Sequence, residues 1–262
     1  MSLKASIKSK HLIRHMTIAP TLQHPPASLP KTQTVRCPIS YVLESLNSLR
    51  VDEIGKFFTG LPADPYLEGN YRFRRFSRFK IVENRPIQLP HSYFFQSKTY
   101  NPLLGDVIRE YEELEPALIA LEDFQASLMA FFDFCKLCPT VNEIGVHQIR
   151  TTTSFEKIGN PVPEGIHQDG VDWVGILPIS RQNISGAETY LYKAQQDEAP
   201  IFAKVLNPGD FLLFNDRQFF HFTSSIQPNS VEGGNRDVLV FTSPGLSSPA
   251  DDGLRVSNSQ RR

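Results

Sequence analysis

The second half of the chain consists of short apolar runs separated by turn-forming residues, and this pattern constrains the fold more than any other feature. The runs follow position 141, and Gly, Pro and Asn lie between them. They are Glu143–Thr152, Val171–Leu177, Glu188–Lys193, Ala203–Leu206, Asp210–Phe214, Phe219–Thr223 and Val238–Thr242. Short, closely spaced strands joined by such turns predict a double-sheet jelly roll or a barrel.

The first half of the chain is expected to supply helices instead. Apolar residues recur at three- and four-residue spacing after Tyr41, which predicts a helix there, and a shorter helix is predicted over Val51–Thr59. The longest helical region is expected over Leu103–Phe134, divided by Pro116. Because helices precede strands along the chain, we predict an α+β fold in which the helices back one sheet.

We expect a single domain over residues 37–244, made of a helical half (37–140) and a jelly-roll core (141–244). Residues 1–36 contain six basic residues and no acidic one, which favours a disordered arm. A basic, acid-free leader is also typical of an organelle transit peptide, which is the alternative interpretation. The polar tail from 245 to 262 is predicted to be disordered as well.

The charge balance and the cysteine count argue against several classes of protein. The formal net charge of −1 gives no electrostatic basis for binding nucleic acid or an anionic membrane. No apolar run reaches the length of about 18 residues that a membrane-spanning helix needs. Three cysteines are too few for a disulfide scaffold, so we predict a cytoplasmic protein. Cys135 and Cys138 form a lone Cys-x-x-Cys, which we interpret as buried thiols at a helix end.

The segment Tyr71–Val82 alternates aromatic and basic residues, and this pattern predicts a strand with one bulge. A strip of arginines between aromatic rings could bind nucleic acid. Because the rest of the chain has no basic excess, we interpret the strip as a solvated strand face.

His167 and Asp169 form the first part of a candidate metal site. They lie two residues apart between Gly165 and Gly170, at the mouth of the strand Val171–Leu177. Residues i and i+2 of an extended segment point to the same side, so the imidazole and the carboxylate converge on one point. The two glycines let the backbone turn tightly around that point.

His221 is the third candidate ligand, inside the aromatic run Phe219–Thr223. Strands that are far apart in the sequence of a jelly roll lie opposite one another, so its distance from His167 suits the closing of a site. Two imidazoles and one carboxylate on one face of a metal leave three positions open, an arrangement that is diagnostic of iron(II) oxygenases. A lone His on an aromatic strand is more often a core residue, so the prediction depends on the three ligands together.

Arg236 leads into the apolar strand Val238–Thr242. A guanidinium buried at the end of such a strand needs an anionic partner. A dicarboxylate co-substrate can offer one carboxylate and a keto oxygen to the metal, and its other carboxylate to the arginine. The alternative for Arg236 alone is an ordinary surface ion pair.

These residues lie in runs that resemble the 2-oxoglutarate–Fe(II) dioxygenases, and more narrowly the bacterial branch of the L-isoleucine 4-hydroxylase and the biofilm, stress and motility proteins. The runs are Pro163–Gly170, Leu206–Asp216, His221 and Gly234–Asp237. The resemblance implies a double-stranded β-helix (cupin-like) core, iron(II) on His167, Asp169 and His221, and Arg236 on the far carboxylate of 2-oxoglutarate. Many wider relatives carry Ser or Thr two residues after that Arg, where this chain has Val238. A hydroxyl contact to the co-substrate would then have to come from elsewhere.

The resemblance also implies the reaction and a substrate class. O2 and 2-oxoglutarate would be consumed, succinate and CO2 released, and a free aliphatic L-amino acid hydroxylated, or methionine oxidised at sulfur. Arg150 and Asp216 are the charged residues that we expect to hold such a zwitterion, and Trp173 with the phenylalanines around His221 is expected to wall the cavity. His147 is expected to be structural or to support the site indirectly. A non-catalytic jelly-roll metal-binding or sensory protein, and a cupin-like metal enzyme without an oxo-acid, are the alternatives.

Overall fold

The structure is a computed structural model that describes residues 40–136 and 143–245. The predictions for the basic arm, for Cys138 and for the tail beyond Gly245 lie outside the described residues. No helix within the described ranges combines the length and the apolar character that crossing a membrane would require.

The described residues form three short helices, one 3-10 turn and twelve strands. The helices are α1 (Val51–Gly55), α2 (Pro116–Ile119) and α3 (Glu122–Cys135), and the 3-10 turn is Lys56–Phe58. The first six strands are β1 (Tyr41–Ser45), β2 (Arg72–Val82), β3 (Arg85–Gln88), β4 (Glu143–Thr153), β5 (Trp173–Gln182) and β6 (Ile184–Gly186). The others are β7 (Glu188–Tyr192), β8 (Phe202–Val205), β9 (Asp210–Asn215), β10 (Phe220–Thr223), β11 (Ile226–Pro228) and β12 (Gly234–Ser243).

The strands form one large sheet and two small ones, and every strand pair is antiparallel. The large sheet has the order β1-β9-β5-β12-β4-β2-β3, and the small sheets are β10-β7-β8 and β11-β6. A backbone bridge between His167 and His221 links the loop before β5 to the first small sheet. The predicted α+β jelly-roll class is confirmed, and so are all seven predicted strands.

The helices cover one face of the large sheet, and strand alternation decides which side chains meet them. Phe131 of α3 packs against Phe241 of β12, with ring centroids 5.5 Å apart. Gly175 of β5 also faces α3, since a Cβ there would lie 2.8 Å from the Phe131 ring. Side chains alternate along a strand, so the residues directly before and after Phe241 and Gly175 point to the opposite face of the sheet. The pocket lies on that face.

Two predicted helices are wrong. Tyr41–Ser45 is an edge strand that pairs with β9, because partner hydrogen bonds along the sheet edge outweigh the weak helical spacing of its apolar residues. The segment before Pro116 is a loop in which the Asn101 carboxamide accepts the backbone N–H groups of Leu103 and Leu104. Asp106 has a φ of 61°, which no α-helix accommodates. Helix is therefore confined to the part from Pro116 onward, where Cys135 is buried at the end of α3 as predicted.

Candidate metal centre

The three predicted metal ligands meet at one point. One ligand atom from each of His167, Asp169 and His221 can be chosen so that all lie within 4.8 Å of one another. The Nε2 atoms of the two imidazoles lie 3.4 Å from opposite carboxylate oxygens of Asp169. Two reciprocal backbone hydrogen bonds between His167 and His221, at 3.1 and 2.8 Å, fix the separation of the two rings. This donor set of two imidazoles and one carboxylate suits iron(II) with open positions.

The imidazoles are oriented for a metal rather than for the core. His167 donates its Nδ1–H to the carbonyl of Gly165 at 3.0 Å, which turns its Nε2 atom toward the site. The Nε2 atom of His221 is buried and has no hydrogen-bond partner among the described residues. Although burial lowers it, the hydrogen bond from His167 to Asp169 raises the pKa of His167 to about 9. For Asp169, burial opposes the shift, but the two imidazoles beside its carboxylate hold the pKa well below its usual range.

Asp216 holds the loop that carries Asp169. Its carboxylate accepts the backbone N–H groups of Asp169, Gly170 and Val171 at 3.1, 2.8 and 3.2 Å. Burial and the charge of Asp169 raise the pKa of Asp216 to about 7. Its Oδ1 also lies 3.6 Å from Nε2 of His221, and Asp216 is not among the residues that line the pocket. Asp216 therefore supports the metal ligands, which corrects the prediction that it contacts the substrate. Gly170 has a φ of 82°, and a Cβ there would lie 2.5 Å from the Tyr100 ring.

Gln96 contacts the metal ligand from the other side and was not predicted. Its Nε2 donates to Oδ1 and to the backbone carbonyl of Asp169 at 3.1 and 3.2 Å. Its Oε1 accepts hydrogen bonds from Arg109 at 2.9 Å and from Asn101 at 3.3 Å. Gln96 therefore ties Asp169 to a buried arginine through a single carboxamide. Nothing in the sequence marks this loop residue, because its contacts depend on the tertiary fold.

The pocket in front of the metal centre is lined by several arginines, two of which come from β2. Arg72 and Arg74 are 6% and 7% exposed, so the predicted solvated face of this strand is in fact buried. Arg72 is paired with Asp64 at 2.8 Å, and Arg74 donates to Nδ1 of His147 at 2.6 Å. The i and i+2 spacing of the two arginines does place them on one face, but the sequence does not reveal which face is covered.

Arg236 lies in the same pocket and is 4% exposed. Its Nε is buried and has no hydrogen-bond partner in the described part of the chain. Thr151 stands opposite Arg236 in the β4–β12 register, and its Oγ1 is buried without a partner too. Burial, together with the charge of Arg181, lowers the pKa of Arg236 to about 10. Arg236 therefore faces the same cavity as the metal ligands, and its role in binding an anion stays a prediction.

Two other predicted site residues point away from the pocket. Trp173 lies in the core on the helix side of the sheet, in edge contact with Phe134 at 5.0 Å between ring centroids. Arg150 binds both carboxylate oxygens of Asp237 at 2.6 and 2.7 Å. Both predictions are corrected by strand alternation, since Arg150 and the pocket residue Thr151 are neighbours on β4 and face opposite sides. The phenylalanines of β10 flank His221 and face away from it in the same way.

Comparison with known proteins decides the family. The family model of the 2OG-Fe dioxygenases matches residues 55–242, which is most of the chain. The chain belongs to the 2OG-Fe dioxygenase family. This family membership makes the protein an oxidoreductase that uses iron(II), 2-oxoglutarate and O2, and the His-Asp-His site described above is consistent with it.

Similar proteins support the same family. The 3(1)-hydroxy-L-isoleucine 4-dioxygenase of Pantoea ananatis (strain AJ13355) is 27% identical over 199 residues, which cover 73% of this chain and 80% of that protein. The crystal structure of a bsmA homolog from Methylobium petroleophilum PM1 superposes with a TM-score of 0.69 at 28% identity, over 80% of this chain and 91% of the other. IDO from Bacillus thuringiensis gives a TM-score of 0.64 at 16% identity, over 78% and 89% of the two chains, which shows the fold alone.

Proposed function

We propose that this dioxygenase oxidises a small molecule that carries a carboxylate, with iron(II) held by His167, Asp169 and His221 and with 2-oxoglutarate held by Arg236. The observation that carries the proposal is the convergence of buried polar atoms without partners on one pocket. They are Nε2 of His221, Nε of Arg236 and Oγ1 of Thr151. Buried polar atoms are rarely left unpaired, so several of them in one cavity indicate a polar ligand.

The far carboxylate of 2-oxoglutarate suits Arg236 and Thr151 together. A guanidinium and a hydroxyl that face each other across two hydrogen-bonded strands can both donate to one carboxylate. In this chain Val238 stands where wider relatives carry a hydroxyl, and the hydroxyl of Thr151 on the neighbouring strand can take over that contact. The two other groups of the oxo-acid, its near carboxylate and its keto oxygen, would then face the metal ligands.

The rest of the pocket keeps the reacting groups dry and in place. When bound, iron(II) and 2-oxoglutarate supply the activation of O2 for oxidation of a substrate carbon, with release of succinate and CO2. Ile149, Ile176, Val238 and Val240 line the cavity with apolar side chains that exclude water. His147 is stacked on Phe76 at 4.4 Å between centroids, and burial holds its pKa well below the usual range, so that it stays neutral.

A free amino acid is the substrate that we propose, on the basis of the similar isoleucine dioxygenase. A zwitterion needs a cationic and an anionic partner in the pocket. Arg74 and Arg109 supply the cationic groups, and Glu164, which also lines the cavity, can accept hydrogen bonds from an ammonium group. These residues take the roles that the sequence suggested for Arg150 and Asp216.

The proposed function is tested by anaerobic titration of the metal-free protein with Fe(II) and then with 2-oxoglutarate. The visible charge-transfer band of the chelate should appear only when both are present, and Asp169→Ala should abolish it. Succinate release with a panel of the twenty L-amino acids then tests the substrate class. Tight metal binding without the band would refute the oxygenase and favour a non-catalytic metal-binding protein. A band without coupled succinate release from any amino acid would remove only the amino-acid assignment.

A further inference from the structure

Two buried arginines of the pocket have no acidic partner in the described part of the chain. Arg74 is 7% exposed and Arg109 is 1% exposed. Within residues 40–136 and 143–245, neither guanidinium has a carboxylate at ion-pair distance, whereas the adjacent Arg72 is paired with Asp64. The Nε atoms of both unpaired arginines are buried and lack a hydrogen-bond partner. A buried charge of this kind is costly unless a ligand supplies the counter-charge.

The two guanidinium groups converge on one aromatic ring. Their Cζ atoms lie 5.1 Å (Arg74) and 4.5 Å (Arg109) from the centroid of Phe94. Burial lowers the pKa of Arg109, and the nearby charge of Arg74 adds to this effect. Since each of these like charges disfavours the other, an anion bound between or beside them would stabilise both.

The contacts that these arginines do make are to neutral groups. Arg74 donates to Nδ1 of His147 at 2.6 Å, and Arg109 donates to the carboxamide oxygen of Gln96 at 2.9 Å. Such hydrogen bonds fix the direction of the guanidinium groups without neutralising them. The pocket thus holds two oriented cations, as a site for carboxylate recognition requires.

The charge balance of the pocket leads to the same result. A metal binds neutral imidazoles, so with iron(II) bound the charged side chains of the lining, apart from the paired Arg72, are Arg74, Arg109, Arg236, Asp169 and Glu164. Iron(II) and the dianion of 2-oxoglutarate cancel one another when both are bound. One positive charge of the lining then remains without a partner, and the carboxylate of a substrate can pair with it.

We propose that Arg74 and Arg109 form the subsite for a carboxylate of the organic substrate, separate from the position of 2-oxoglutarate. This inference rests on the proposed function and specifies how its substrate is recognised. Arg74 lies on β2 and Arg236 on β12, and β4 runs between these strands. Because neighbouring strands lie about 4.8 Å apart, the two arginines stand on strands roughly 10 Å apart, which leaves room for two acidic ligands.

The length of the substrate is limited by the position of Gln96. Its carboxamide accepts a hydrogen bond from Arg109 and donates one to the metal ligand Asp169. A carboxylate bound at Arg109 is therefore separated from the metal centre by little more than one carboxamide. The substrate class that follows is a short-chain carboxylic acid, such as a free amino acid, and the corresponding esters and amides are excluded.

Binding can be measured without turnover. Protein loaded with Mn(II) and 2-oxoglutarate is titrated by calorimetry with the twenty L-amino acids, their N-acetyl derivatives and short 2-hydroxy acids, and with the carboxamide of each acid that binds. We expect every carboxamide to bind about 30-fold more weakly than its acid, or worse. Arg74→Gln and Arg109→Gln should each lower the affinity for the acid by a similar factor. The Kd of 2-oxoglutarate should stay within about twofold of wild type.

Arg75→Gln is the matched control. Arg75 is the next residue on β2, faces the other side and is paired with Glu112 at 2.8 Å, so its loss should not change acid binding. If Arg109→Gln fails to fold, Arg109→Lys can replace it. Lysine keeps the charge but loses the paired N–H donors of the guanidinium, so the affinity for the acid should fall about tenfold.

Several results would overturn the subsite. They are equal binding of acid and carboxamide, unchanged acid binding in both arginine variants, loss of 2-oxoglutarate binding in those variants, and failure of every acid in the panel to bind. A different result would refute the proposed function, namely the absence of a charge-transfer band when the wild-type iron protein is mixed with 2-oxoglutarate. An intact band with no discrimination between acid and amide refutes the subsite alone.

Discussion

Replacement of Arg236 by methionine is expected to change two properties of the protein in opposite directions. The first is the stability of the ligand-free protein. Burial, aided by the charge of Arg181, lowers the pKa of Arg236 from 12.5 to about 10, and a fall of this size corresponds to a penalty of about 3 kcal/mol on the charged form. Methionine has a similar length and no charge. The free energy of unfolding of the metal-free protein should therefore rise by about 1–3 kcal/mol.

The second property is the affinity for 2-oxoglutarate, which should fall. In Arg236→Met the far carboxylate of the co-substrate would be buried without its cationic partner. Loss of one member of such a pair costs about 2–5 kcal/mol, which raises Kd by about 30-fold to 5,000-fold. Anaerobic titration followed by the charge-transfer band measures Kd, and urea denaturation of the metal-free protein measures stability.

Arg150→Met is the matched control because it should show the reverse pattern. Arg150 lies on the strand next to Arg236 but faces away from the pocket, and its partner Asp237 is 1% exposed. Its removal leaves that carboxylate without its cation and should lower stability by about 3 kcal/mol, with Kd for 2-oxoglutarate unchanged. The reasoning is refuted if Arg236→Met binds 2-oxoglutarate like wild type, or if both variants are destabilised alike.

Three further substitutions test the surroundings of the site. Thr151→Val removes the hydroxyl opposite Arg236 and should raise the Kd of 2-oxoglutarate by about 3- to 10-fold in the same titration. Asp216→Ala frees three backbone N–H groups of the ligand loop, so the affinity for Mn(II), measured by calorimetry, should fall by about 10- to 100-fold. Gly170→Ala forces a Cβ against the Tyr100 ring at positive φ, and should lower the thermal midpoint and the metal affinity together, with a stability loss of about 1–3 kcal/mol.

The strands and the metal ligands could be predicted because their signals are local. Each strand of the second half is an apolar run bounded by turn residues, and tertiary contacts only adjust its ends. His167 and Asp169 share a side because they are two residues apart, whatever the rest of the fold does. His221 needed the fold as well, since only the bridge to His167 brings its strand to the site.

The face on which a residue lies could not be predicted for the large sheet. Its strands are buried on both sides, so apolar residues occur at both odd and even positions. The sequence pattern therefore does not show which residues face the pocket and which face the helices. If the assignment of β4 residues to the two faces is shifted by one position, Arg150 takes the place of Thr151 as the pocket residue. The register settles the matter by placing Thr151 opposite Arg236.

The loop before Pro116 was missed for a different reason. Its apolar residues follow helical spacing, but Leu103, Val107 and Ile108 are all more than 40% exposed, and thus bury no helical face. The contacts that fix this loop are polar and non-local. They include the two backbone hydrogen bonds between Phe94 and Arg109, which place Arg109 in the pocket. Periodicity gives no information about contacts of this kind.

The two parts of the pocket come from different parts of the chain. The metal ligands, Thr151 and Arg236 all lie after position 141, on strands of the jelly-roll core or, for His167 and Asp169, in the loop before β5. Arg74 and Arg109 come from β2 and from the loop before α2, in the first half of the chain. If the proposed subsite is correct, substitution of Arg74 or Arg109 should change substrate recognition while the iron and 2-oxoglutarate sites stay intact. A relative that keeps the core residues but lacks both arginines should give the same charge-transfer band and bind a substrate of different charge.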